Sequence, residues 1–384
     1  MRTRVRPVTG PDGLRRVPAR IGPRLAAAVA GARPGVIVLA LDGLAGQVAE
    51  RALAHAAVSP LRSTFPSTST TAWLTSVTGV DAAGHGVVGA VYRAPGSDRV
   101  TDLVSGRSQG YADQACADEA QPGDEPGPLV LPAPTVFDRA AELGVRSVAV
   151  GRELAGLSGP WVGALLHGAS MYQAPVNGAP SIHPAVVVER TVRDVDAVAA
   201  GAREGDYADR PLLIWAHVNL DDHIHRAGYD AALTHAAGTL DEAADRWACA
   251  GWSVLGHADH GLVPVSPDAE LARLWERFDR PDRCQAPGGG AGRVRWLYPL
   301  PGLEQRTIED LRAAFDGHAL VLTPDELAER GLMDVSPAVR ERIGAVVAVG
   351  TSPQFPVPDP TFAYEHGSDD PDEVLVPFAE WGDS

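Results

Sequence analysis

The feature that most constrains the fold is a run of six apolar residues from Val36 to Leu41. A continuous run of this kind, without polar alternation, is typical of a strand that is buried on both faces. Similar runs recur along the chain with helix-like segments between them, and this alternation predicts an α/β fold: a mostly parallel central sheet flanked by helices. The further predicted strands cover residues 145–150, 211–218 and 252–255, and the predicted helices cover 134–144 and 230–248, with another beginning near 67–70.

Acidic residues lie just past the ends of three of these predicted strands. They are Asp42, Asp221 and Asp259, and the last is followed by His260 and a glycine. Because open α/β sheets bind their ligands at the carboxyl ends of the strands, we expect these side chains to meet at one edge of the sheet. The sequence therefore predicts a polar site at that edge.

The 384 residues suit one large domain or two ordinary ones. We expect a partly ordered leader over residues 1–34, without a site of its own, and a single domain over residues 35–384. Residues 283–292 are rich in Gly and Pro and break the pattern. Residues 266–345 are therefore interpreted as a smaller, cap-like inserted segment.

The charge balance limits the partners that the chain can have. It contains 33 Lys and Arg against 49 Asp and Glu, a formal net charge of −16, which disfavours nucleic-acid polymers and anionic membranes. The three cysteines form no CxxC pair, so a disulfide framework or a cysteine zinc site is not expected. Because there is neither a bilayer-spanning apolar run nor a signal-peptide pattern, we expect a cytoplasmic protein.

Ligand-type residues recur at the predicted edge of the sheet. Besides Asp42, the sequence offers Asp221 with His225, Asp259 with His260, and a late His366. Carboxylate oxygens and imidazole nitrogens suit zinc and similar divalent ions. Each residue alone has an ordinary structural explanation, such as a helix cap, but their joint occurrence at strand ends predicts a metal site. Bound ions would also give this acidic protein a local positive charge.

Several short blocks occur in the order found in a known family. The chain resembles the alkaline phosphatase superfamily, specifically its nucleotide pyrophosphatase/phosphodiesterase branch, over about residues 35–378. The blocks are Leu39-Ala40-Leu41-Asp42-Gly43, Phe65-Pro66-Ser67-Thr68-Ser69, Thr78-Gly79, His85-Gly86, Ala258-Asp259-His260-Gly261 and His366-Gly367-Ser368.

This resemblance implies two divalent metal ions, usually zinc. One site would use Asp42, Asp259 and His260 together with the oxygen of the nucleophile, and the other would use the ligands Asp221, His225 and His366. The implied substrate is a small phosphorylated molecule such as a nucleotide derivative. The resemblance leaves the oligomeric state open.

The nucleophile lies within a contiguous stretch of five hydroxyl residues, 67–71. Family members place the attacking hydroxyl three residues after a proline and ten before the glycine of a Thr-Gly pair. Counting from Pro66 and counting back from Gly79 both select Ser69, with Thr68 as the alternative. Ser69 is thus the expected catalytic residue, and its oxygen is also expected to be a metal ligand.

The sequence departs from the family pattern at two positions. Ile224 stands where relatives often have a glycine, and since Asp222 and His223 crowd the same segment, the register of the Asp221 and His225 pair needs a structural check. Ala90 replaces an asparagine that binds a phosphate oxygen in animal enzymes, so Arg93 or a backbone amide would have to substitute. Other residues near the motifs are interpreted as structural: His85, His217, His257, Trp73 and Trp215.

The expected activity is hydrolysis of a phosphodiester or nucleotide pyrophosphate through a phospho-seryl intermediate. A phosphomonoesterase of the same fold remains an alternative. A sulfatase is disfavoured because no cysteine lies in the required C/S-x-P-x-R context. From a different class, a catalytically inactive metal-binding or interaction protein is the remaining alternative.

Overall fold

The structure is a computed structural model that describes residues 13–114, 129–157, 159–173, 181–201 and 210–382. Its strands form a seven-stranded central sheet, a second seven-stranded sheet and a two-stranded ribbon. The strands are β1 (Gly35–Asp42), β2 (Ala57–Arg62), β3 (Val91–Arg93), β4 (Val100–Asp102), β5 (Ser108–Gln109), β6 (Arg146–Val150), β7 (Ser170–Met171), β8 (Leu212–Asn219), β9 (Ser253–His257), β10 (Val263–Pro264), β11 (Gly289–Ala291), β12 (Val294–Leu297), β13 (Ala319–Leu322), β14 (Val346–Gly350), β15 (Tyr364–Glu365) and β16 (Leu375–Trp381).

Helices alternate with the strands of the central sheet and also flank the second sheet. Short 3₁₀ turns cover Leu14–Arg16 and Leu154–Gly156. The helices are α1 (Val17–Val29), α2 (Gly46–Ala52), α3 (Ser69–Thr78), α4 (Ala82–His85), α5 (Tyr111–Gln114), α6 (Val136–Glu142), α7 (Pro160–Leu165), α8 (Pro184–Gly201), α9 (Asp221–Ala227), α10 (Ala231–Cys249), α11 (Ala269–Glu276), α12 (Glu304–Ala314), α13 (Pro324–Glu329), α14 (Pro337–Ile343) and α15 (Pro371–Val374).

The central sheet has the order β2-β16-β9-β1-β8-β6-β7. Strand β1 pairs in parallel with β8 and β9, and β6 pairs in parallel with β8 and β7. Only β16 runs antiparallel to its neighbours, β9 and β2. All eight residues of β1 are buried, as its unbroken apolar sequence predicts. This is the mostly parallel α/β fold, flanked by helices, that the sequence predicts.

The register of β1 and β8 decides which side chains can meet at the site. Ala40 pairs with His217, and Asp42 lies two residues further along β1. Because residues i and i+2 of a strand point to the same face, Asp42 and His217 share one face of the sheet. Ala40 also pairs with His257 on the other side, in β9.

The second sheet is antiparallel throughout, with the order β13-β14-β12-β11-β3-β4-β5. Four of its strands come from residues 289–350, in and just beyond the predicted insertion, and three come from residues 91–109. Its helices enclose a smaller apolar core that includes Trp275, Phe315 and Phe355. Strand β11 and the turn after it bring this sheet to the edge of the central sheet, beside His366.

Within the predicted leader, residues 13–29 form the first 3₁₀ turn and α1. Leu14, Val17, Ile21 and Leu25 are buried in the main core. The sequence boundary at residue 35 thus falls between α1 and β1, and residues 1–12 lie outside the described part of the chain. Among the helices of the described residues, none combines the length and the apolar character needed to cross a bilayer.

Candidate active site and metal centre

The seven predicted site residues come together at the carboxyl end of the central sheet. Asp42 ends β1, Ser69 begins α3, and Asp221 and His225 lie on α9 directly after β8. The remaining three lie in the turn after β9 and just after β15; they are Asp259, His260 and His366.

The first group surrounds the Ser69 hydroxyl. Ser69 Oγ lies 3.1 Å from His260 Nε2 and 3.4 Å from Asp42 Oδ1. His260 Nε2 is 3.2 Å from Asp259 Oδ2, while Asp259 Oδ1 accepts a hydrogen bond of 3.1 Å from the Gly43 amide. These atoms therefore face one small volume, at the place where the first metal site is predicted.

The second group consists of Asp221, His225 and His366, whose potential ligand atoms all lie within 4.8 Å of one another. His366 Nδ1 donates to the Ser67 carbonyl at 2.8 Å, and His225 Nδ1 donates to the Tyr364 carbonyl at 2.8 Å. A carbonyl only accepts, so each Nδ1 carries a proton and each Nε2 is the nitrogen available to a metal ion. This arrangement is common for histidine ligands.

The two groups of candidate ligands lie next to each other. Ligand atoms of Asp42, Asp221 and His260 also lie within 4.8 Å of one another. The rings of His260 and His366, one from each group, stack with their centroids 3.7 Å apart. The seven residues thus form one cluster with two adjoining sets of ligand atoms.

The register of the segment after β8 is clear in the structure. Asp222 Oδ2 accepts a hydrogen bond of 2.8 Å from Asn219, and His223 Nε2 lies 3.2 Å from Asp230 Oδ1. Asp221 and His225 stand one helical turn apart on α9, with Oδ2 and Nε2 at 3.1 Å. The pair that faces the cluster is therefore Asp221 and His225.

The cluster concentrates negative charge where little water reaches. Burial raises the pKa of Asp259 well above its usual value, and the charges of Asp42 and Asp221 raise it further. Burial also acts to raise the pKa of Asp42, but its contacts with His217 outweigh this effect and hold that pKa at about 2. Asp259 Oδ2 and Asp221 Oδ1 are buried without a hydrogen-bond partner. Because carboxylates in such a position need a counter-charge, the donor set fits bound divalent cations.

The histidines of the cluster differ in their protonation. Burial lowers the pKa of His260 to about 4 and that of His366 to about 3, so both rings are neutral near pH 7. Burial also acts to lower the pKa of His225, but the charge and hydrogen bond of Asp221 raise it to about 10. A metal ion at His225 Nε2 has to displace that proton.

Among the five hydroxyl residues 67–71, Ser69 alone is not buried. Ser67 Oγ donates to the Ser368 carbonyl at 2.8 Å, and Thr71 Oγ1 is 2.8 Å from the Pro66 carbonyl. Thr68 occupies the N-cap of α3 without a capping hydrogen bond from its side chain. Ser69 is therefore the hydroxyl of this stretch that combines exposure with contacts to the predicted ligands.

The turn that carries His366 is held by a buried ion pair that the sequence motifs do not predict. The guanidinium of Arg293, between β11 and β12, contacts Glu373 of α15, and the two side chains are 4% and 0% exposed. Glu373 Oε2 accepts from the Ser368 amide at 2.6 Å, and the Arg293 amide donates to the His366 carbonyl at 2.7 Å. Gly367 is required here, because a Cβ at its φ of 116° would lie 2.0 Å from the Ala291 carbonyl oxygen.

A second contact that the sequence does not predict involves His217, which the motifs alone indicate to be a structural residue. Its Nε2 lies 3.0 Å from Asp42 Oδ2, at an angle outside hydrogen-bond geometry, and its Nδ1 lies 2.5 Å from Glu153 Oε1. Burial acts to lower the pKa of His217, but both carboxylates raise it to about 10. The sequence does carry one signal for this contact. His217 lies within an otherwise apolar strand, and a buried imidazole needs polar partners.

The expected substitute for the missing asparagine is engaged elsewhere. The Arg93 guanidinium stacks over the Tyr298 ring at 4.9 Å and donates to Gln285 at 3.3 Å. The backbone amides at the start of α3 remain as donors for a phosphate oxygen.

Next to Glu153, a cavity of about 440 Å³ opens beside the carboxyl end of β6, with Arg152 and Tyr172 in its lining.

Solved structures with the same architecture cover most of the chain. Murine ectonucleotide pyrophosphatase/phosphodiesterase 5, in an inactive form with AMP, aligns with a TM-score of 0.59 and 16% identity over 91% of this chain and 88% of that one. Phosphonoacetate hydrolase from Sinorhizobium meliloti 1021, in complex with phosphonoformate, gives a TM-score of 0.57 and 17% identity over 91% and 90%. At these identities the likeness shows the shared fold.

The sequence comparisons identify the family. No curated protein matches the chain in sequence. A sequence model described as type I phosphodiesterase / nucleotide pyrophosphatase matches residues 36–350, which is most of the chain. The resemblance indicated by the sequence motifs is therefore confirmed, and the chain belongs to the type I phosphodiesterase / nucleotide pyrophosphatase family.

Proposed function

We propose that the protein is a two-metal hydrolase of phosphodiester or nucleotide pyrophosphate bonds that uses Ser69 as its nucleophile. The observation that carries this proposal is the placement of the Ser69 hydroxyl, on a residue that is only partly buried, 3.1 Å from His260 Nε2 and 3.4 Å from Asp42 Oδ1. The family and its structural relatives indicate a hydrolase of phosphoesters.

The ligand sets follow the two groups of the cluster. Asp42, Asp259, His260 and the Ser69 oxygen would hold one ion, and the second set would be Asp221, His225 and His366. Zn²⁺ is the expected ion because the set mixes carboxylates with imidazoles. When bound, the ions supply positive charge that lowers the pKa of the serine hydroxyl and offsets charge on the phosphoryl group.

The chain's own residues account for the remaining chemistry. The start of α3 directs backbone N–H groups toward an anionic phosphoryl group placed against Ser69. Ser69 Oγ then bonds to phosphorus while the bond to the leaving oxygen breaks, and the hydroxyl proton passes to solvent. In the second step water attacks phosphorus, the bond to Ser69 Oγ breaks, and the phosphate product leaves with the serine restored.

A small phosphorylated substrate is the expected partner. AMP and phosphonoformate are bound in the structures of two relatives of this fold. The −16 net charge of the chain argues against a nucleic-acid polymer.

The test combines metal analysis with a substrate panel. Purified protein is measured for bound metal and then assayed on an aryl phosphodiester, an aryl phosphomonoester and a dinucleoside pyrophosphate, with Ser69→Ala purified in parallel as the control for contaminating activity. We expect about two metals per chain and turnover of the diester or pyrophosphate. Preference for the monoester would favour a phosphomonoesterase, and bound metal without turnover on any substrate would favour an inactive binding protein.

A further inference from the structure

His217 occupies a position between two carboxylates and touches the candidate metal centre from outside. It is 3% exposed and lies on β8, next to β1. Its Nε2 is 3.0 Å from Asp42 Oδ2, and its Nδ1 is 2.5 Å from Glu153 Oε1. Glu153 follows β6, so the three side chains connect three neighbouring strands at their carboxyl ends.

The two carboxylate oxygens of Asp42 face different groups. Oδ1 lies 3.4 Å from Ser69 Oγ and 3.8 Å from His260 Nε2, within the first set of candidate ligands. Oδ2 instead lies against His217. This contact restrains rotation of the Asp42 carboxylate and leaves Oδ1 as the oxygen nearer to Ser69 and His260.

The His217 ring is packed closely by its neighbours. The Trp215 ring stacks beside it at a centroid distance of 5.8 Å, and the Trp73 ring meets it edge-on at 5.8 Å. Gly151 also lies close to both residues, since a Cβ there would be 3.1 Å from His217 Cβ and 3.3 Å from Glu153 Oε1. The glycine thus leaves just enough room for Glu153 to reach the imidazole.

We propose that His217 and Glu153 are positioning residues that orient the Asp42 carboxylate toward the ion that would bind next to Ser69. This inference rests on the proposed function, because it assumes that Asp42 binds metal. Residues that orient a metal ligand typically change metal affinity by about 10–100-fold when they are replaced. The effect should be confined to one of the two ions, since His217 contacts no residue of the second ligand set within the described structure.

The experiment titrates Zn²⁺ into chelator-treated protein against a fluorescent competitor, which resolves the affinity of each site. The variants are His217→Leu, which removes both contacts, His217→Gln, which keeps an amide donor, and Glu153→Gln. The matched control is His85→Leu, since His85 is equally buried and bonded to Thr75 Oγ1 at 3.1 Å but touches no candidate ligand.

We expect His217→Leu to weaken one of the two zinc sites by about 10-fold or more and to leave the other unchanged. His217→Gln should recover part of that loss, Glu153→Gln should show a smaller loss at the same site, and His85→Leu should bind both ions like the wild type. Wild-type affinity at both sites in His217→Leu, or an equal loss in His85→Leu, would overturn the positioning role. If the wild-type protein itself binds no zinc, the proposed function fails and the inference fails with it.

Discussion

At the scale of single residues, exposure separates five hydroxyl side chains that the sequence places side by side. Spacing from Pro66 and Gly79 selects Ser69, and the structure leaves this residue partly exposed with its hydroxyl against His260, while Thr68 is only 4% exposed. A nucleophile must be reached by substrate and must contact the groups that activate it. Both conditions favour Ser69, although neither was used in the sequence count.

We predict that Ser69→Ala loses turnover by a factor on the order of 10⁴ or more, because the covalent step has no attacking atom. Its free energy of unfolding and most of its metal content should persist, since the hydroxyl contributes little to the core. Steady-state assays with elemental analysis measure both effects.

Thr68→Ala is the matched control for that variant. Thr68 caps α3 without a side-chain hydrogen bond, so its replacement should cost at most about 1 kcal/mol of stability and less than tenfold in rate. An inactive Thr68→Ala with an active Ser69→Ala would reverse the assignment of the nucleophile. Activity in both variants would instead indicate direct attack by water.

We predict that Asp259→Asn stabilises the metal-free protein while removing metal from one site. The folded pKa of Asp259 lies above its ordinary value of 3.8, so on raising the pH the unfolded chain loses its proton before the folded one. The stability of the metal-free wild type therefore falls as the pH rises above about 4, until the folded carboxyl has ionised. Asn cannot ionise, and its amide oxygen can still accept from Gly43.

Urea unfolding of both chelator-treated proteins across pH measures this effect. The variant should be more stable by about 1–3 kcal/mol near pH 8 and nearly equal to the wild type near pH 4. If the two proteins have the same free energy of unfolding at every pH, or if their difference grows toward acid pH, then the three buried carboxylates do not repel one another as inferred.

At the scale of elements, the second sheet is tied to the site through the turn between β11 and β12. Arg293 of this turn pairs with Glu373 and donates to the Gly350 carbonyl at 3.1 Å. Glu373 in turn holds the Ser368 amide, and the Ser67 hydroxyl lies 3.1 Å from its Oε2. The segments before Ser69 and after His366 thus meet at a single buried carboxylate.

We predict that Arg293→Met lowers the free energy of unfolding by about 3–5 kcal/mol, because it leaves Glu373 charged and buried without its cation. The double variant with Glu373→Gln should recover part of the loss, since the amide oxygen still accepts from Ser368 and carries no charge. A double-variant cycle in urea measures this coupling. Additive losses in the cycle would show that the pair does not act as a unit.

The strands that the sequence predicts and those that it misses differ in their source of stability. Strand β1 is a continuous apolar run and β8 nearly so, and such runs identify central strands from local sequence alone. Strands β3 and β11 have three residues each, and β11 is Gly289, Gly290 and Ala291. These short segments are strands only because β12 and β4 pair with them, which is information that lies elsewhere in the chain.

The same distinction holds for the site. The candidate ligands occur in short motifs at strand ends, so their convergence follows from the parallel sheet that the sequence predicts. His217 and Glu153 belong to no motif. His217 meets Asp42 only because β1 and β8 pair with Ala40 opposite His217, and Glu153 meets His217 because β6 pairs with the other side of β8. Register between strands distant in sequence is set by packing, and a single sequence does not reveal it.

At the scale of the whole molecule, the candidate metal centre joins segments from almost the full length of the chain. Its residues run from Asp42 in β1 to His366 after β15, and the cluster lies where the central sheet meets the second sheet. Three carboxylates converge there in a chain that already carries 16 excess negative charges. Cations at this point would offset the repulsion among these carboxylates.

We therefore predict that metal removal destabilises the whole molecule and not only the site. Ions that bind the folded chain alone add stability as RT ln(1 + [L]/Kd), about 2.7 kcal/mol per site at a free concentration of 100 Kd. Thermal unfolding of chelator-treated protein should begin at a lower temperature, and added Zn²⁺ should restore the midpoint in a concentration-dependent way. Asp221→Asn serves as the control, because a ligand atom of Asp221 lies within 4.8 Å of those of His225 and His366 in its own group and also within 4.8 Å of those of Asp42 and His260 in the other, so its loss should remove most of the zinc response. Equal midpoints with and without Zn²⁺ in the wild type would mean that the buried carboxylates are compensated within the protein, and the metal centre would have to be abandoned.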